Sequence, residues 1–284
     1  MKGKRVTIIG LGLMGGSLGL ALKQRGLAAH VVGCGREALL TRAMEMGAID
    51  SGAVDAGEAA AESDFVFLCT PVETSIGLLR EIAPRLKAGA LVTDVGSTKE
   101  AFAAAAREIF GEAAHELVLP GHPLAGKEVS GLEYAEAELY SECLWVLTPL
   151  GSAEVASHGE LREALARLGA RVMEMDAAEH DRTLAYTSHL PQMLSTALAL
   201  TLKEAMGEGN PGLRVHAGGL RAMLRLAESD AAMWEQIADS NRENLAGALE
   251  GMERVLRELR ERLGTAEFRG KFEEGREFAK GLRK

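Results

Sequence analysis

Hydrophobic and polar positions follow two different patterns along the chain. As far as residue 175, short apolar runs alternate with amphipathic stretches. The apolar runs predict strands at residues 5–9, 31–33, 64–71, 90–97, 116–123, 143–149 and 170–175, and the amphipathic stretches predict helices at 15–25, 37–47, 74–86 and 99–110. This alternation is typical of an α/β domain that has a parallel sheet with helices on both faces.

Beyond residue 175 the strand pattern stops and helical periodicity replaces it. Helices are predicted at residues 177–208, 213–226 and 231–263, followed by a short polar helix or tail to residue 284. The sequence GEGNPG separates the first two helices, because Gly and Pro interrupt helical structure. We therefore predict an α/β domain over residues 1–175 and an all-helical domain over residues 176–284.

Composition and charge narrow the possible partners of the chain. The 284 residues carry a net charge of −9 without a basic stripe, which argues against a nucleic-acid partner. Residues 183–202 hold no charged side chain, but their His, Pro, Gln, Ser and Thr favour a buried interface helix over a membrane span. The N-terminus resembles no signal peptide, and the three cysteines lack metal-ligand spacing, as expected of a cytoplasmic protein.

A glycine motif follows the first predicted strand and opens the first predicted helix. Gly10, Gly12 and Gly15 form GxGxxG, the dinucleotide-binding fingerprint in its required context. Gly10 would permit a tight turn, Gly12 would let the backbone approach a pyrophosphate, and Gly15 would let helix and strand pack closely. The alternative is a glycine-rich turn that binds nothing. The predicted cofactor contacts are Gly10, Gly12, Leu13, Met14, Gly15, Gly35, Arg36, Thr70, Pro71 and Asp94.

The residues after the second strand bear on which dinucleotide is bound. An acidic residue there would read the ribose 2′-hydroxyl of NAD. This chain has Gly35 and Arg36 instead, which leave room for a 2′-phosphate and can pair with it. We expect NADP, with NAD possible, and the alternative is that Arg36 is only a solvated loop residue.

Two loops at the carboxyl ends of predicted strands carry polar side chains. The first, TDVGSTKE, contains Asp94 and Ser97, and the second, GHPLAGKE, contains His122 and Glu128. A histidine held by loop backbone could serve as a general base near neutral pH, and Ser97 could fix its tautomer. From residue types alone, His122 could equally stabilise its loop, and Asp94 could simply satisfy loop amides.

Five segments in order along the chain resemble the prephenate/arogenate dehydrogenase family. They are GLGLMGGSLGLAL, DVGSTK, GHPLAGKEVSG, HDRTLAYTSHLPQ and GGLRAMLRLAESDAAMW. The resemblance implies a Rossmann-type dinucleotide-binding domain and a helical domain that forms a homodimer. It also implies oxidative decarboxylation of prephenate to 4-hydroxyphenylpyruvate in tyrosine biosynthesis. Arogenate dehydrogenase and dual-specificity cyclohexadienyl dehydrogenase are the alternatives.

The resemblance also implies roles for single residues. His122 matches the base that takes the proton of the substrate ring hydroxyl, and Ser97 matches the serine that supports it. Arg225 matches the arginine that binds a substrate carboxylate. The further substrate-pocket positions are His189, Gln192, Glu128, Gly218 and Trp234.

Gln192 departs from the family pattern, because many prephenate-using members have a second histidine there. A neutral glutamine can donate or accept a hydrogen bond, so it accommodates prephenate or arogenate. Pro191 lacks an N–H group, which predicts a kink in the helix that carries both His189 and Gln192.

Two other functions fit the glycine motif. A β-hydroxyacid or imine reductase is one, but β-hydroxyacid dehydrogenases are expected to have a lysine on the interdomain helix, and none occurs between Lys127 and Lys203. A non-catalytic NADP(H)-sensing protein is the other, although it would have no need of His122, Ser97 and Arg225 together.

Overall fold

The computed structural model describes residues 1–127, 129–153 and 155–282. Strands and helices alternate in the first domain. The strands are β1 Arg5–Ile9, β2 His30–Cys34, β3 Ser51–Ala53, β4 Phe65–Leu68, β5 Leu91–Asp94, β6 Gly121–Pro123, β7 Leu144–Leu147 and β8 Arg171–Glu174. The helices are α1 Leu13–Gln24, α2 Glu37–Glu45, α3 Ala56–Ala61, α4 Val72–Ile82, α5 Glu100–Phe110, α6 Ala114–Leu117 and α7 Ala156–Arg167.

The first five strands form a parallel sheet in the order β3-β2-β1-β4-β5. Alternate residues of β1 enter two different cores, since Val6 and Ile8 pack with α1 on one face and Ile9 packs with α4 and α5 on the other. Helices therefore cover both faces of the sheet, as predicted. The strand order reverses direction at β1 and β4, and the open edge at that position is where such sheets bind ligands.

The remaining three strands form a second sheet, in the order β6-β7-β8, which the sequence pattern did not separate from the first. β6 pairs antiparallel with β7, so this smaller sheet is mixed, whereas the five-stranded sheet is parallel as predicted. The stretch predicted as a strand over 116–123 begins as helix α6 and joins the first sheet only by a bridge between Val92 and Val118. β3 and α3 were not predicted, because Ser51–Ala53 is too short to show a strand period.

The second domain is helical, as predicted, but more divided. It contains α8 Ala177–Leu184, a π-helix at Ala185–His189, α9 Leu190–Met206, α10 Gly218–Leu224, α11 Ala231–Ser240, α12 Arg242–Glu261 and α13 Ala266–Gly281. The helix predicted over 231–263 is interrupted at Asn241, whose backbone leaves the helical range with φ −124° and ψ 31°. Within the described ranges, no helix has both the length and the apolarity needed to cross a bilayer.

Candidate active site

The carboxyl ends of three neighbouring strands meet at one edge of the parallel sheet. Ile9 at the end of β1 lies beside Leu68 of β4, and Leu68 lies beside Asp94 of β5. The backbone N–H of Gly121, one residue before His122, donates to the Asp94 carboxylate over 3.1 Å. The hydrogen bond thus brings the strand of His122, which belongs to the second sheet, to the edge that carries the glycine motif.

The glycine turn after β1 has the geometry that its motif predicts. Gly10 adopts a φ of +99°, and a Cβ atom there would lie 2.7 Å from the carbonyl oxygen of Cys69. A Cβ atom on Gly15 would overlap the carbonyl oxygen of Gly10 and approach Ile8 to 3.0 Å. Both positions exclude a side chain, because the turn is tight and α1 packs closely on β1.

The N-terminus of α1 fits a dinucleotide pyrophosphate. Gly12 is the N-cap, and because glycine has no side chain, none caps the helix there. The first turn holds no acidic residue, and a Cβ atom on Gly12 would meet nothing within 4 Å. Free amide donors and the positive end of the helix dipole therefore face open space, which suits a phosphate group.

Gly35 and Arg36 follow β2 directly at the same edge of the sheet. A Cβ atom on Gly35 would meet nothing within 4 Å, and the Arg36 side chain is exposed at the N-cap of α2. An arginine here can reach an anionic group beyond β2. Thr70 and Pro71 follow β4, where the Thr70 hydroxyl pairs with Ser75 at 2.8 Å and Pro71 is the N-cap of α4.

Asp94 has a structural role that differs from the predicted cofactor contact. Its side chain is fully buried and accepts hydrogen bonds from the backbone of Gly96 and Gly121 and from the Lys99 ammonium group. Lys99 also donates to the carbonyl oxygen of Gly121 over 2.8 Å. The carboxylate faces the loops instead of the open edge, so the geometry favours the loop-satisfying alternative over direct binding of a cofactor.

His122 is buried at the junction of the two domains and contacts a second histidine. Its Nδ1 lies 2.9 Å from Nε2 of His180 on α8, and Nδ1 of His180 lies 2.7 Å from Oδ1 of Asp181. Asp181 also accepts hydrogen bonds from the backbone N–H groups of Lys99 and Glu100 over 2.7 and 2.9 Å. Ser97 was expected to fix the His122 tautomer, but the described hydrogen bond of the His122 ring is to His180.

The surroundings of His122 hold its ring in the neutral form. Burial, the nearby His180 ring and the Lys99 ammonium group place the pKa of His122 well below its usual value of 6.5. Burial likewise lowers the pKa of Lys99, and the adjacent Asp94 carboxylate opposes that shift. At pH 7 the His122 ring is therefore unprotonated and able to accept a proton.

His189 lies in the interior of the helical domain, with 1% of its surface exposed. Its Nδ1 lies 3.2 Å from Nδ2 of Asn241, and its ring packs edge-on against Trp234 at 5.8 Å. Burial lowers the pKa of His189 to about 4, so the ring is neutral at pH 7. That His189 and Trp234 line the substrate pocket stays a prediction. If they do, His189 would contact the substrate as a neutral ring.

Gln192 and Ser195 hold the chain segment that carries Arg225. Nε2 of Gln192 donates to the carbonyl oxygen of Leu226 over 2.7 Å, and its Oε1 accepts from Ser229 over 3.3 Å. The Ser195 hydroxyl donates to the carbonyl oxygen of Met223 over 2.7 Å. The buried amide of Gln192 thus bonds to the Leu226 backbone and the Ser229 hydroxyl, which argues against the direct substrate contact predicted for it.

Of the two other predicted pocket positions, the structure describes Gly218 but not Glu128. Gly218 begins α10, is exposed, and has open space where a Cβ atom would lie. Glu128 lies outside the described residues. Their substrate roles stay predictions.

Sequence reasoning missed the residues that connect the two domains behind His122. His180 and Asp181 stand in the quoted segment HDRTLAYTSHLPQ, yet only its later residues were selected. The available signal was a His-Asp pair in the first helix after the domain boundary. Asn241 was missed as well, and it donates to the carbonyl oxygen of Asp181 over 2.7 Å.

Comparison with known protein families covers nearly the whole chain. Residues 18–174 match the model of the prephenate dehydrogenase nucleotide-binding domain, and residues 176–281 match that of the prephenate dehydrogenase dimerization domain. A prephenate dehydrogenase of Lactococcus lactis is 34% identical over 257 residues, which span 90% of this chain and 70% of that relative.

Two further comparisons extend the likeness to another substrate range and to a solved structure. A cyclohexadienyl dehydrogenase of Zymomonas mobilis is 29% identical over 90% of this chain and 87% of its own length. The crystal structure of prephenate dehydrogenase from Aquifex aeolicus, in complex with hydroxyphenyl propionate and NAD+, superposes with a TM-score of 0.85 at 29% identity. That superposition covers 100% of this chain and 97% of the other.

Proposed function

Because this chain belongs to the prephenate dehydrogenase family, we propose that it oxidises and decarboxylates prephenate to 4-hydroxyphenylpyruvate, a step of tyrosine biosynthesis. The observation that carries the proposal is a neutral, buried histidine in β6, which is hydrogen-bonded through Gly121 to the end of β5 at the sheet edge that also carries the glycine turn. That arrangement supplies a base beside the position where a dinucleotide would accept hydride.

His122 is the base of the proposed reaction. Its unprotonated nitrogen takes the proton of the ring hydroxyl as the ring carbon becomes a carbonyl carbon. When bound at the glycine turn, a nicotinamide dinucleotide supplies the acceptor for the hydride that this ring carbon loses. As carbon dioxide leaves, its bonding electrons make the ring aromatic, and His122 returns the proton to the ring oxygen. Loss of the carboxylate thus drives the reaction forward.

Arg225 is proposed to orient the substrate through a carboxylate. The guanidinium group offers a fork of donors that matches a carboxylate, which favours a single orientation of the ring. The hydrogen bonds that Gln192 and Ser195 make to Leu226 and Met223 hold the Arg225 segment against α9. Holding the ring hydroxyl within reach of His122 lowers the entropic part of the barrier.

NADP is the proposed cofactor, with NAD as the alternative. The support is a glycine instead of an acidic residue directly after β2, the open space at Gly35 and the exposed Arg36. These features suit a 2′-phosphate, which carries negative charge and accepts hydrogen bonds from arginine.

Arogenate is the second candidate substrate. It has an amino group where prephenate has the keto oxygen of its side chain. The His189 ring is neutral at pH 7, so it imposes no charge requirement on that group. The relative from Zymomonas is named for the broader cyclohexadienyl range.

A homodimer formed through the helical domain, in the cytoplasm, completes the proposal. The dimerization-domain match supports the first part, and three free cysteines agree with a reducing compartment.

The test is turnover of purified protein with prephenate and with arogenate, each with NAD+ and with NADP+, followed by the absorbance of the reduced cofactor. We expect turnover of prephenate with NADP+ at the highest kcat/KM. A protein that binds NADP(H) but turns over neither substrate would contradict the proposal and favour the sensing function.

A further inference from the structure

A chain of buried polar side chains runs from His122 into the helical domain. His122, His180 and Asp181 are 8%, 0% and 0% exposed, and successive members lie 2.9 and 2.7 Å apart. His180 and Asp181 belong to α8, whereas His122 belongs to β6. The histidine proposed as the base is thus held by the other domain.

The hydrogen-bond partners of Asp181 show where the protons lie in the series His122, His180 and Asp181. Asp181 accepts hydrogen bonds from the backbone N–H groups of Lys99 and Glu100, as an ionised carboxylate does. An ionised carboxylate only accepts, so Nδ1 of His180 must carry the proton that it donates to Asp181. With a single proton on each ring, the Nε2 atom of His180 then has a lone pair, and Nδ1 of His122 is the donor to it. The remaining nitrogen of neutral His122, Nε2, is left with a free lone pair.

We infer that His180 and Asp181 are positioning residues, which fix His122 in the tautomer whose Nε2 can take the substrate proton. The inference rests on the base role proposed for His122. The reverse tautomer would point the lone pair of His180 Nδ1 at a carboxylate oxygen 2.7 Å away, which is repulsive. A buried carboxylate that orients a histidine base is the arrangement of serine-protease triads, where it sets the tautomer and stabilises the imidazolium.

His180 and Asp181 also stabilise His122 while His122 holds the substrate proton. After transfer, the ring of His122 is a cation whose Nδ1–H still donates to His180, and the Asp181 carboxylate lies beyond. Among the described residues, the other charged or titratable groups around it are Asp94 at the end of β5, Lys99 from the loop after β5, and His189 from the π-helix. Lys99 opposes the cation, so Asp181 supplies the compensating negative charge on the helical side.

Asp181→Asn tests the inference because it keeps the shape, removes the negative charge and puts an NH2 group in place of one accepting oxygen. An NH2 group in the place of Oδ1 reverses the bond to His180 and leaves the Lys99 N–H without this acceptor. An asparagine amide that donates to His180 Nδ1 forces the proton to His180 Nε2, and His122 must then carry its proton on Nε2. We expect kcat to fall by about 10²-fold or more, with KM and the Kd for NADP+ within about twofold of wild type. The acid limb of the kcat/KM profile should move to lower pH, since an anion that favours protonation is gone.

His180→Gln and His180→Leu form a matched pair that does not disturb the Asp181 bonds to α5. Glutamine can present its carbonyl oxygen near the position of Nε2 and accept from His122, whereas leucine cannot. We expect His180→Gln to retain a kcat at least about tenfold above that of His180→Leu. This pair decides the matter even if Asp181→Asn fails to fold.

Equal kcat for the two His180 variants would overturn the inference, as would an Asp181→Asn protein with the wild-type kcat and acid limb. Turnover by the wild-type enzyme in the same assay distinguishes failure of the proposed function from failure of the roles of His180 and Asp181. A wild-type enzyme without activity contradicts the proposed function, whereas an active wild type with unaffected variants contradicts only the roles of His180 and Asp181.

Discussion

The charge available at the site comes from few side chains. Lys99 is paired with Asp94, and burial keeps His122 and His189 neutral at pH 7. We therefore expect the negative charge of the substrate to be met by Arg225. Residue types predicted His122 and Arg225 because both have a chemistry that the reaction needs. They could not predict His180, since its role depends on contact with His122, which is 58 residues away in sequence and in the other domain.

Arg225→Ala should raise KM for the substrate by about 10- to 100-fold while kcat changes little, because a charged hydrogen bond made before the transition state is lost. Arg221→Ala, four residues earlier on α10, is the control and should leave KM within about twofold. Steady-state kinetics with the preferred substrate measure both. An unchanged KM in Arg225→Ala would remove the assignment.

Arg36→Ala should raise KM for NADP+ by about tenfold and leave KM for NAD+ unaltered, because only NADP+ has the 2′-phosphate. Arg42→Ala is the matched control, since Arg42 is exposed on the same helix and pairs with Glu45. Equal KM values of wild type and Arg36→Ala for NADP+ would mean that Arg36 is only a solvated loop residue.

At the scale of elements, the π-helix explains how the helical domain tolerates Pro191. The N–H of Leu190 bonds to the carbonyl oxygen of Ala185, five residues back, which inserts one extra residue before the proline. The proline therefore stands in the first turn of α9, directly after this local widening of the helix. The shift turns His189 toward Asn241 while Gln192 faces Leu226.

The buried His189 predicts how stability depends on pH. Because burial lowers its folded-state pKa to about 4, the unfolded chain binds the proton more readily. The contribution is complete above the unfolded pKa of about 6.5 and should decline by roughly 2 kcal/mol as pH falls to about 4.5. His189→Asn keeps an acceptor for Asn241 and removes the titration. Urea denaturation at both pH values should show a smaller loss for the variant, and equal losses would contradict this.

Strands could be predicted from the sequence where their run of apolar residues was long enough to recognise. β4 is a continuous apolar run and β1 and β5 are largely apolar and β-branched, and all three are buried throughout or nearly so. The three-residue β3 and the antiparallel β6 left no period to detect, because both are fixed by pairing with distant strands.

At the scale of the molecule, a single chain does not bury the apolar surface of α9. It is apolar and uncharged up to Leu202, yet its buried residues are only Leu190, Gln192 and Ser195, and Leu200 is 55% exposed. Burying these exposed apolar side chains against a second copy of the chain would be favourable. The same pattern was visible in the sequence as a helix without charges, although the sequence could not show which faces stay open.

Light scattering at micromolar concentration should give twice the 30.2 kDa mass of one chain. Leu200→Glu should shift the protein toward monomer, because it places a charge on the uncharged helix. Val54→Glu, which alters an exposed apolar residue of the first domain, should not. A monomeric wild type would contradict the homodimer.

The central claim is that His122 is the base, and kcat of His122→Asn measures it most directly. Asparagine keeps a polar group of similar size but cannot accept the proton at neutral pH. We predict a fall in kcat of about 10²- to 10⁴-fold with prephenate, with the Kd for NADP+ unchanged by calorimetry. A His122→Asn enzyme with a kcat near that of wild type would contradict the account.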